Sequence, residues 1–232
     1  MITKRAAAER GVTRASWLES RHSFSFSDYY DPDHMGWRPL RVINEDLVAP
    51  KGGFPTHGHR DMEILTYVLE GGLAHRDSLG NGSTIRPREV QLMHAGTGIQ
   101  HSEFNESPTD PVHLLQIWIL PDRQDAKPGY QQRSYPNGDM EGRLRLVASK
   151  DGRDESLIMN QDASVFAGRL KRGDAIEHAL EPGRFGWVQV AKGAVELNGV
   201  PLQSGDGAAI SDETKLQFGA KEDSEILLFD LP

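Results

Sequence analysis

Short strand-like runs punctuate the chain from end to end. Leu40-Arg41-Val42-Ile43, Ile64-Leu65-Thr66-Tyr67-Val68-Leu69, Val112-His113-Leu114-Leu115-Gln116-Ile117-Trp118-Ile119, Trp187-Val188-Gln189-Val190 and Glu225-Ile226-Leu227-Leu228-Phe229 are rich in β-branched and aromatic residues. Turn formers close them off, as in Glu70-Gly71-Gly72, Leu79-Gly80-Asn81-Gly82 and Asn198-Gly199. No apolar 3.6-residue period persists over three turns, so only short helices are expected, around residues 6–10 or 15–20. Short strands at near-regular spacing with Gly-rich turns imply an all-β sandwich or barrel.

Length then sets the number of such units. The 232 residues suit one large domain or two of about 115. A polar, Pro- and Gly-bearing stretch at residues 121–142 divides the chain almost in half, so we expect domains over 1–125 and 140–232. The halves also resemble each other. YVLEGGLAHRDSLGN in the first parallels VQVAKGAVELNGVP in the second. His57 lies 15 residues before Gly72, and His178 lies 15 before Gly193. In that register Leu180 stands where His59 would be and Arg184 where Glu63 would be. The pattern reads as an internal duplication in which the N-terminal copy alone keeps a histidine cluster.

That cluster, Thr56-His57-Gly58-His59-Arg60-Asp61-Met62-Glu63, contains two of only nine histidines. Alternate residues of a strand face one way, so His57 and His59 can converge on one ion. His101-Ser102-Glu103 repeats the i, i+2 geometry after a Gly-rich approach, Gly96-Thr97-Gly98. Two such pairs on neighbouring strands supply three imidazoles and a carboxylate and leave positions open for water, O₂ or substrate. Glu63 and Glu103 compete for the carboxylate slot. Nitrogen and oxygen donors suit Fe, Mn, Co, Ni, Cu or Zn. The absence of cysteine excludes disulfides, thiolate zinc sites, iron–sulfur clusters and thiol nucleophiles.

The net charge of −8, without a basic stripe, argues against direct nucleic-acid binding. No apolar run is long enough for a signal or a membrane span, so the expected location is the cytoplasm. Among the other histidines, His22 is expected to be a packing residue, with the pocket rim as a minority placement, His94 to be structural or exposed, and His34 to be solvated. His75 and His113 lie on strands, with the metal pocket as a minority placement, and His178 lacks a partner ligand. Phe54 and Phe104 flank the ligand motifs and are the better candidates to line a pocket. Trp37, Trp118, Trp187, Phe24 and Phe26 read first as packing residues. Arg60 and Asp61 read as a solvated face or a local salt bridge.

The two motifs resemble the cupin pair, HxH followed by Glu and PxGxxH followed by Asn, here ending on Asn105, with Gly96 in place of the usual Pro. More specifically, the chain resembles bacterial pirins of the quercetinase type over nearly its whole length. RHSFSFSDYYDPDHMGWRPLRVINEDLV, THGHRDMEILTYVLEG, DSLGN, AGTGIQHSEFN, HLLQIWILP and ILLFDLP carry the likeness. The resemblance implies a bicupin: two tandem β-barrel or jelly-roll domains with few short helices, the first holding the metal and the second none. It implies His57, His59, His101 and Glu103 as ligands, Fe(II) as the metal, and Glu63 as a supporting partner for an imidazole N–H. The implied activity is quercetin 2,3-dioxygenation. A flavonol chelates the metal, Glu103 is the base, and O₂ opens the central ring with loss of CO. Pirins also resemble redox-sensing regulators that bind a transcription factor or a metabolic enzyme, which is the alternative reading with a protein partner.

Overall fold

The computed structural model describes residues 1–136 and 138–232. Residue 137, inside the expected junction, lies outside the described residues. The chain opens with β1 (Ile2–Arg5) and continues through β2 (Gly11–Arg14), β3 (Leu18–His22), β4 (Leu40–Val48), β5 (Gly53–His59), β6 (Glu63–Glu70), β7 (Leu73–Asp77), β8 (Gly82–Ile85), β9 (Glu89–His94), β10 (Ile99–Asn105), β11 (Val112–Ile119) and β12 (Gly129–Ser134). The second half holds β13 (Leu144–Ser149), β14 (Leu157–Ile158), β15 (Ser164–Leu170), β16 (Ala175–Ala179), β17 (Phe185–Lys192), β18 (Ala194–Leu197), β19 (Val200–Gln203), β20 (Gly207–Ile210), β21 (Lys215–Ala220) and β22 (Ser224–Leu231). The chain is an all-β bicupin. No helix among the described residues is long and apolar enough to cross a membrane.

Two compact units form. One comprises Gly11–Ser134 with Met159–Gln161, the other Met1–Arg10 with Tyr135–Ile158 and Asp162–Pro232. The first ten residues therefore belong with the C-terminal unit, not with the domain expected over 1–125. The cause is strand pairing: β1 runs antiparallel to β20, Ile2 opposite Ile210, and covers an edge that would otherwise present bare N–H and C=O groups. A 3₁₀ turn, Ala7–Glu9, follows it. Residues 15–20, expected as a possible helix, instead form the turn of the β2–β3 hairpin and the start of β3. Ala15 and Leu18 exchange backbone hydrogen bonds, and Thr13 pairs with Ser20.

Each unit has a seven-stranded and a four-stranded sheet, in the orders β12-β9-β6-β11-β4-β3-β2 and β5-β10-β7-β8 for the N-terminal unit. The C-terminal unit repeats them as β1-β20-β17-β22-β15-β13-β14 and β16-β21-β18-β19. Strand β5 corresponds to β16, and β10 to β21. His57 faces His101 across the first pair, and His178 faces Leu216 across the second. Two residues on from His178 and Leu216 come Leu180 and Phe218. These three apolar side chains occupy the places of His59, His101 and Glu103, and all are buried in the C-terminal core with Val188, Val190 and Leu228. Burying each contributes about 1.5–3 kcal/mol. Packing thus fills, in the second copy, the space that histidines and a carboxylate line in the first.

Candidate metal centre

Strand β10 alternates so that Ile99, His101, Glu103 and Asn105 point inward. It lies between β5 and β7 in the four-stranded sheet. Asn105 anchors its far end by donating to the carbonyls of Val48, at 3.0 Å, and Asp110, at 2.8 Å. On the β5 side His101 pairs with His57 but Glu103 pairs with Phe54, so β5 carries one extra residue there. This β-bulge falls at Pro55 and Thr56, where an edge strand tolerates proline. The Pro55 carbonyl accepts from His57 Nδ1 at 2.8 Å. That hydrogen bond places the His57 proton on Nδ1 and leaves the Nε2 lone pair free.

The free lone pairs meet. His101 Nε2 is 3.0 Å from His57 Nε2 and 3.0 Å from His59 Nε2. Metal–nitrogen bonds of about 2.1 Å at right angles put neighbouring donors about 3.0 Å apart, the separation of His101 from each of the other two rings, and all three ligand atoms lie within 4.8 Å of one another. Behind His101 runs a supporting chain. His101 Nδ1 is 3.4 Å from His75 Nδ1, and His75 Nε2 is 3.2 Å from Asp77 Oδ2. The proton arrangement that satisfies every contact puts hydrogens on His101 Nδ1 and His75 Nε2. Asp77 is itself held by the backbone N–H groups of Leu79 and Asn81 and by the Asn81 amide, which is the physical content of the Asp-Ser-Leu-Gly-Asn turn.

Among the described residues two groups have the geometry to hold a metal: His57, His59 and His101, and His75, His101 and Glu103. The rings of His75 and His101 already satisfy each other through Nδ1, so the first group has the available nitrogens. Glu103 stands beside His101 and lines the same cavity as His57 and His59, yet it is less tightly drawn in than the imidazoles. Gln116 Nε2 donates to both its oxygens, at 3.2 and 3.0 Å, and Thr66 fixes Gln116 by donating to Oε1 at 2.9 Å.

Burial dominates the electrostatics. It pushes the Glu103 carboxyl up to about 7, against the Gln116 hydrogen bonds and with the nearby Asp46 carboxyl adding to the rise. Burial also lowers His59 to about 4, with His57 adding to the effect. His101 falls to about 2 from burial first, then from the neighbouring His57 and His59. Two of the three imidazoles are therefore neutral at pH 7, the state a metal requires.

The cavity measures about 400 Å³, within the range of about 300–1,000 Å³ typical of small-molecule sites. Leu18, Phe26, Phe54 and Trp118 supply apolar wall, and Thr13, Ser20, His22, Asn44 and Asp46 a polar stripe. His22 takes the pocket-rim place that was its minority reading, whereas Asn44 and Asp46 escaped the sequence reading as site residues; their signal is the inward parity they share with Leu40, Val42 and Val48 on β4, which pairs with β3.

A model of the pirin family matches residues 4–119, and a second, the quercetinase C-terminal cupin domain, matches residues 146–231. The chain belongs to the pirin family. The quercetin 2,3-dioxygenase of Escherichia coli is 48% identical over 232 residues, covering 100% of this chain and 99% of that one. A pirin-like protein of Caulobacter vibrioides is 41% identical, covering 99% of each. The crystal structure of the bacterial pirin YhhW from Escherichia coli in complex with nickel(II) superposes with a TM-score of 0.95, at 47% identity, covering 100% of this chain and 99% of that one.

Within this pirin, some of the remaining residues sit where expected and others do not. Glu63 does meet an imidazole, but that of His94, at 2.6 Å, and Asn160 donates to its other oxygen at 3.0 Å. His113 pairs with Glu45 at 2.9 Å. Phe104 is half-exposed and lines a separate depression, so of the two flanking phenylalanines Phe54 reaches the cavity. His22, Phe26 and Trp118 line it as well, whereas Trp187 is buried in the C-terminal unit. His34 Nδ1 donates to Asp31 Oδ2 at 2.8 Å, and Arg60 forms the expected local salt bridge with Asp61 and a further one with Asp125.

The Gly96 departure from the cupin motif also has a cause. Gly96 adopts φ +44, and a Cβ there would lie 2.0 Å from the Ala126 carbonyl oxygen. Proline is locked near φ −65° and cannot occupy the site. Gly96→Pro is expected to cost about 3 kcal/mol or more, lowering the thermal midpoint by about 6 °C or more. A midpoint within a degree of wild type contradicts this account of the turn.

Proposed function

We propose that the protein is a mononuclear metal-dependent dioxygenase of the quercetin 2,3-dioxygenase type. In this reading His57, His59, His101 and Glu103 hold the ion. The observation that carries it is the approach of His57 Nε2 and His59 Nε2 to 3.0 Å from His101 Nε2, beside a cavity that His57, His59 and Glu103 line. Iron(II) is the preferred metal, because three imidazoles and a carboxylate with open positions form an oxygen-handling set; Mn, Co, Ni, Cu and Zn fit the same donors.

When bound, the ion would lower the pKa of a chelating hydroxyl and hold the resulting anion beside O₂. The protein supplies the rest. Phe26, Phe54 and Trp118 grip a planar ring system and keep water out, which strengthens every charge interaction inside. Glu103, lifted to about 7, accepts the hydroxyl proton. Its attachment to Gln116 holds the carboxylate where it can act as base while the imidazoles retain the ion. O₂ then adds to the electron-rich ring, the central ring opens, and one carbon leaves as CO.

The test is an anaerobic preparation loaded with Fe(II), then exposed to O₂ with a flavonol. Oxygen uptake matched by CO release at about 1 s⁻¹ or faster supports the enzyme. A feeble rate, together with binding of a protein partner that depends on the iron oxidation state, supports a regulator.

The chain from His101 through His75 to Asp77 makes a further prediction. Asp77→Asn keeps the turn but loses the carboxylate that sets the His75 tautomer. Metal affinity is expected to fall about 10–100-fold, read by competition with a chromophoric chelator. An unchanged affinity would remove Asp77 from the account.

A further inference from the structure

The polar groups that the metal reading leaves unused lie on the seven-stranded sheet, whereas the three histidines stand on the four-stranded one. Most of these groups satisfy each other. Thr13 Oγ1 is 2.9 Å from His22 Nε2, and His22 Nδ1 is 2.7 Å from Asn44 Oδ1. Two do not. Asp46 is 3% exposed and lines the cavity, its carboxyl takes a hydrogen bond from Ser20, and its Oδ1 has no partner. Trp118 lines the same cavity, edge-on to His59 at 5.0 Å and to Phe26 at 5.3 Å, and its indole Nε1 also lacks a partner. Among the described residues lining the cavity, no other side chain has such an orphan atom.

A buried acceptor without a donor bears the desolvation cost of the group with nothing in return, so its persistence calls for a ligand. The chemistry of that ligand is constrained. A carboxyl oxygen away from the ion repels an anionic group placed against it, so the matching group at Asp46 is a neutral donor. Leu18, Phe26 and Phe54 favour a flat apolar body to carry it. A hydroxyl on an aromatic ring meets both demands, and its hydrogen bond to a carboxylate is of the strong, charge-assisted kind.

We propose that Asp46 is a second anchor for the substrate: its Oδ1 accepts a hydrogen bond from a ring hydroxyl outside the chelating pair. The cavity thereby selects polyhydroxylated planar rings over rings whose only polar edge faces the ion. Asp46 is a specificity-determining residue in this scheme and takes no part in holding the metal. The inference rests on the flavonol reading above.

The experiment measures anaerobic binding to Ni(II)-loaded protein by calorimetry, with quercetin and with 3-hydroxyflavone, which keeps the chelating edge and lacks the other hydroxyls. Wild type is expected to bind quercetin about tenfold more tightly or better. Asp46→Leu should bring the two affinities together while leaving 3-hydroxyflavone binding in place. Asp46→Asn, whose amide oxygen still accepts, should keep part of the difference. A preference unchanged by Asp46→Leu overturns this inference and leaves the flavonol reading standing. Failure of wild type to bind either compound overturns both. If Asp46→Leu does not fold, quercetin methylated at every hydroxyl but the chelating one reads the same contact in wild type. Binding no tighter than 3-hydroxyflavone is then expected, and binding as tight as quercetin overturns the proposal.

Discussion

Glu103→Gln is expected to abolish flavonol turnover, by about 10²–10⁴-fold, while most of the metal stays bound. The two halves of that expectation have separate causes. The metal stays because His57 and His59 each bring Nε2 to 3.0 Å from His101 Nε2, and Glu103 falls outside that three-histidine group. Turnover goes because an amide oxygen cannot take the hydroxyl proton at neutral pH. Glu103 can, since burial lifts its carboxyl to about 7. The variant preserves volume and keeps one of the two acceptors for the Gln116 amide, so a gross loss of fold is not expected to confuse the result. Turnover within tenfold of wild type removes Glu103 from the role of base.

The same shift has a readout that needs no substrate. At pH 6 the metal-free carboxyl is mostly protonated, because its folded pKa lies above that pH. To ligate an ion it must release that proton. His59 and His101 sit far below pH 6 and have no proton to give. Wild type should therefore release about one proton more per ion bound than Glu103→Gln. Calorimetry in buffers of differing ionisation enthalpy measures the difference, and it should shrink as pH rises past 7.

His101→Ala is expected to have the largest effect on metal binding, exceeding the about 10–100-fold of a supporting residue such as Asp77. His101 is the ring that both others approach, and it is the link to the chain through His75 and Asp77. Removing it also leaves His57 and His59 without their shared neighbour. In wild type, an ion at a thousand times its dissociation constant should stabilise the fold by about 4 kcal/mol. His101→Ala should show no such rise in thermal midpoint on adding metal. A variant that still gains stability from divalent cations would place the ion elsewhere.

Much of this was legible in the amino-acid order because it depends on local periodicity. Strand runs, Gly turns and the i, i+2 spacing of His57, His59, His101 and Glu103 all follow from the two-residue period of a strand. The duplication was legible too, since Leu180 against His59 is a comparison between two segments of one string. Other features depend on which strands pair, and no local pattern states that. Strand β1 completes the distant edge at β20, a place many extended segments would suit. Glu63 lies four residues after His59, yet its partners are His94 and Asn160, because β6 faces β9 and the loop around residue 160 folds back. Asp46 reads as a surface charge in Asn44-Glu45-Asp46, and only the register of β3 and β4 turns it into the cavity. His75 and Asp77 share the i, i+2 spacing of the ligand pairs, a signal present in the order but ambiguous until β7 is seen beside β10.

X-ray absorption at the metal edge of Fe(II)-loaded protein, beside His101→Ala prepared in the same way, tests the centre most directly. The account predicts nitrogen and oxygen neighbours at about 2.1 Å with the outer-shell scattering of three imidazoles, lost or sharply reduced in the variant. A spectrum without imidazole scattering, or one that His101→Ala leaves unchanged, would contradict it.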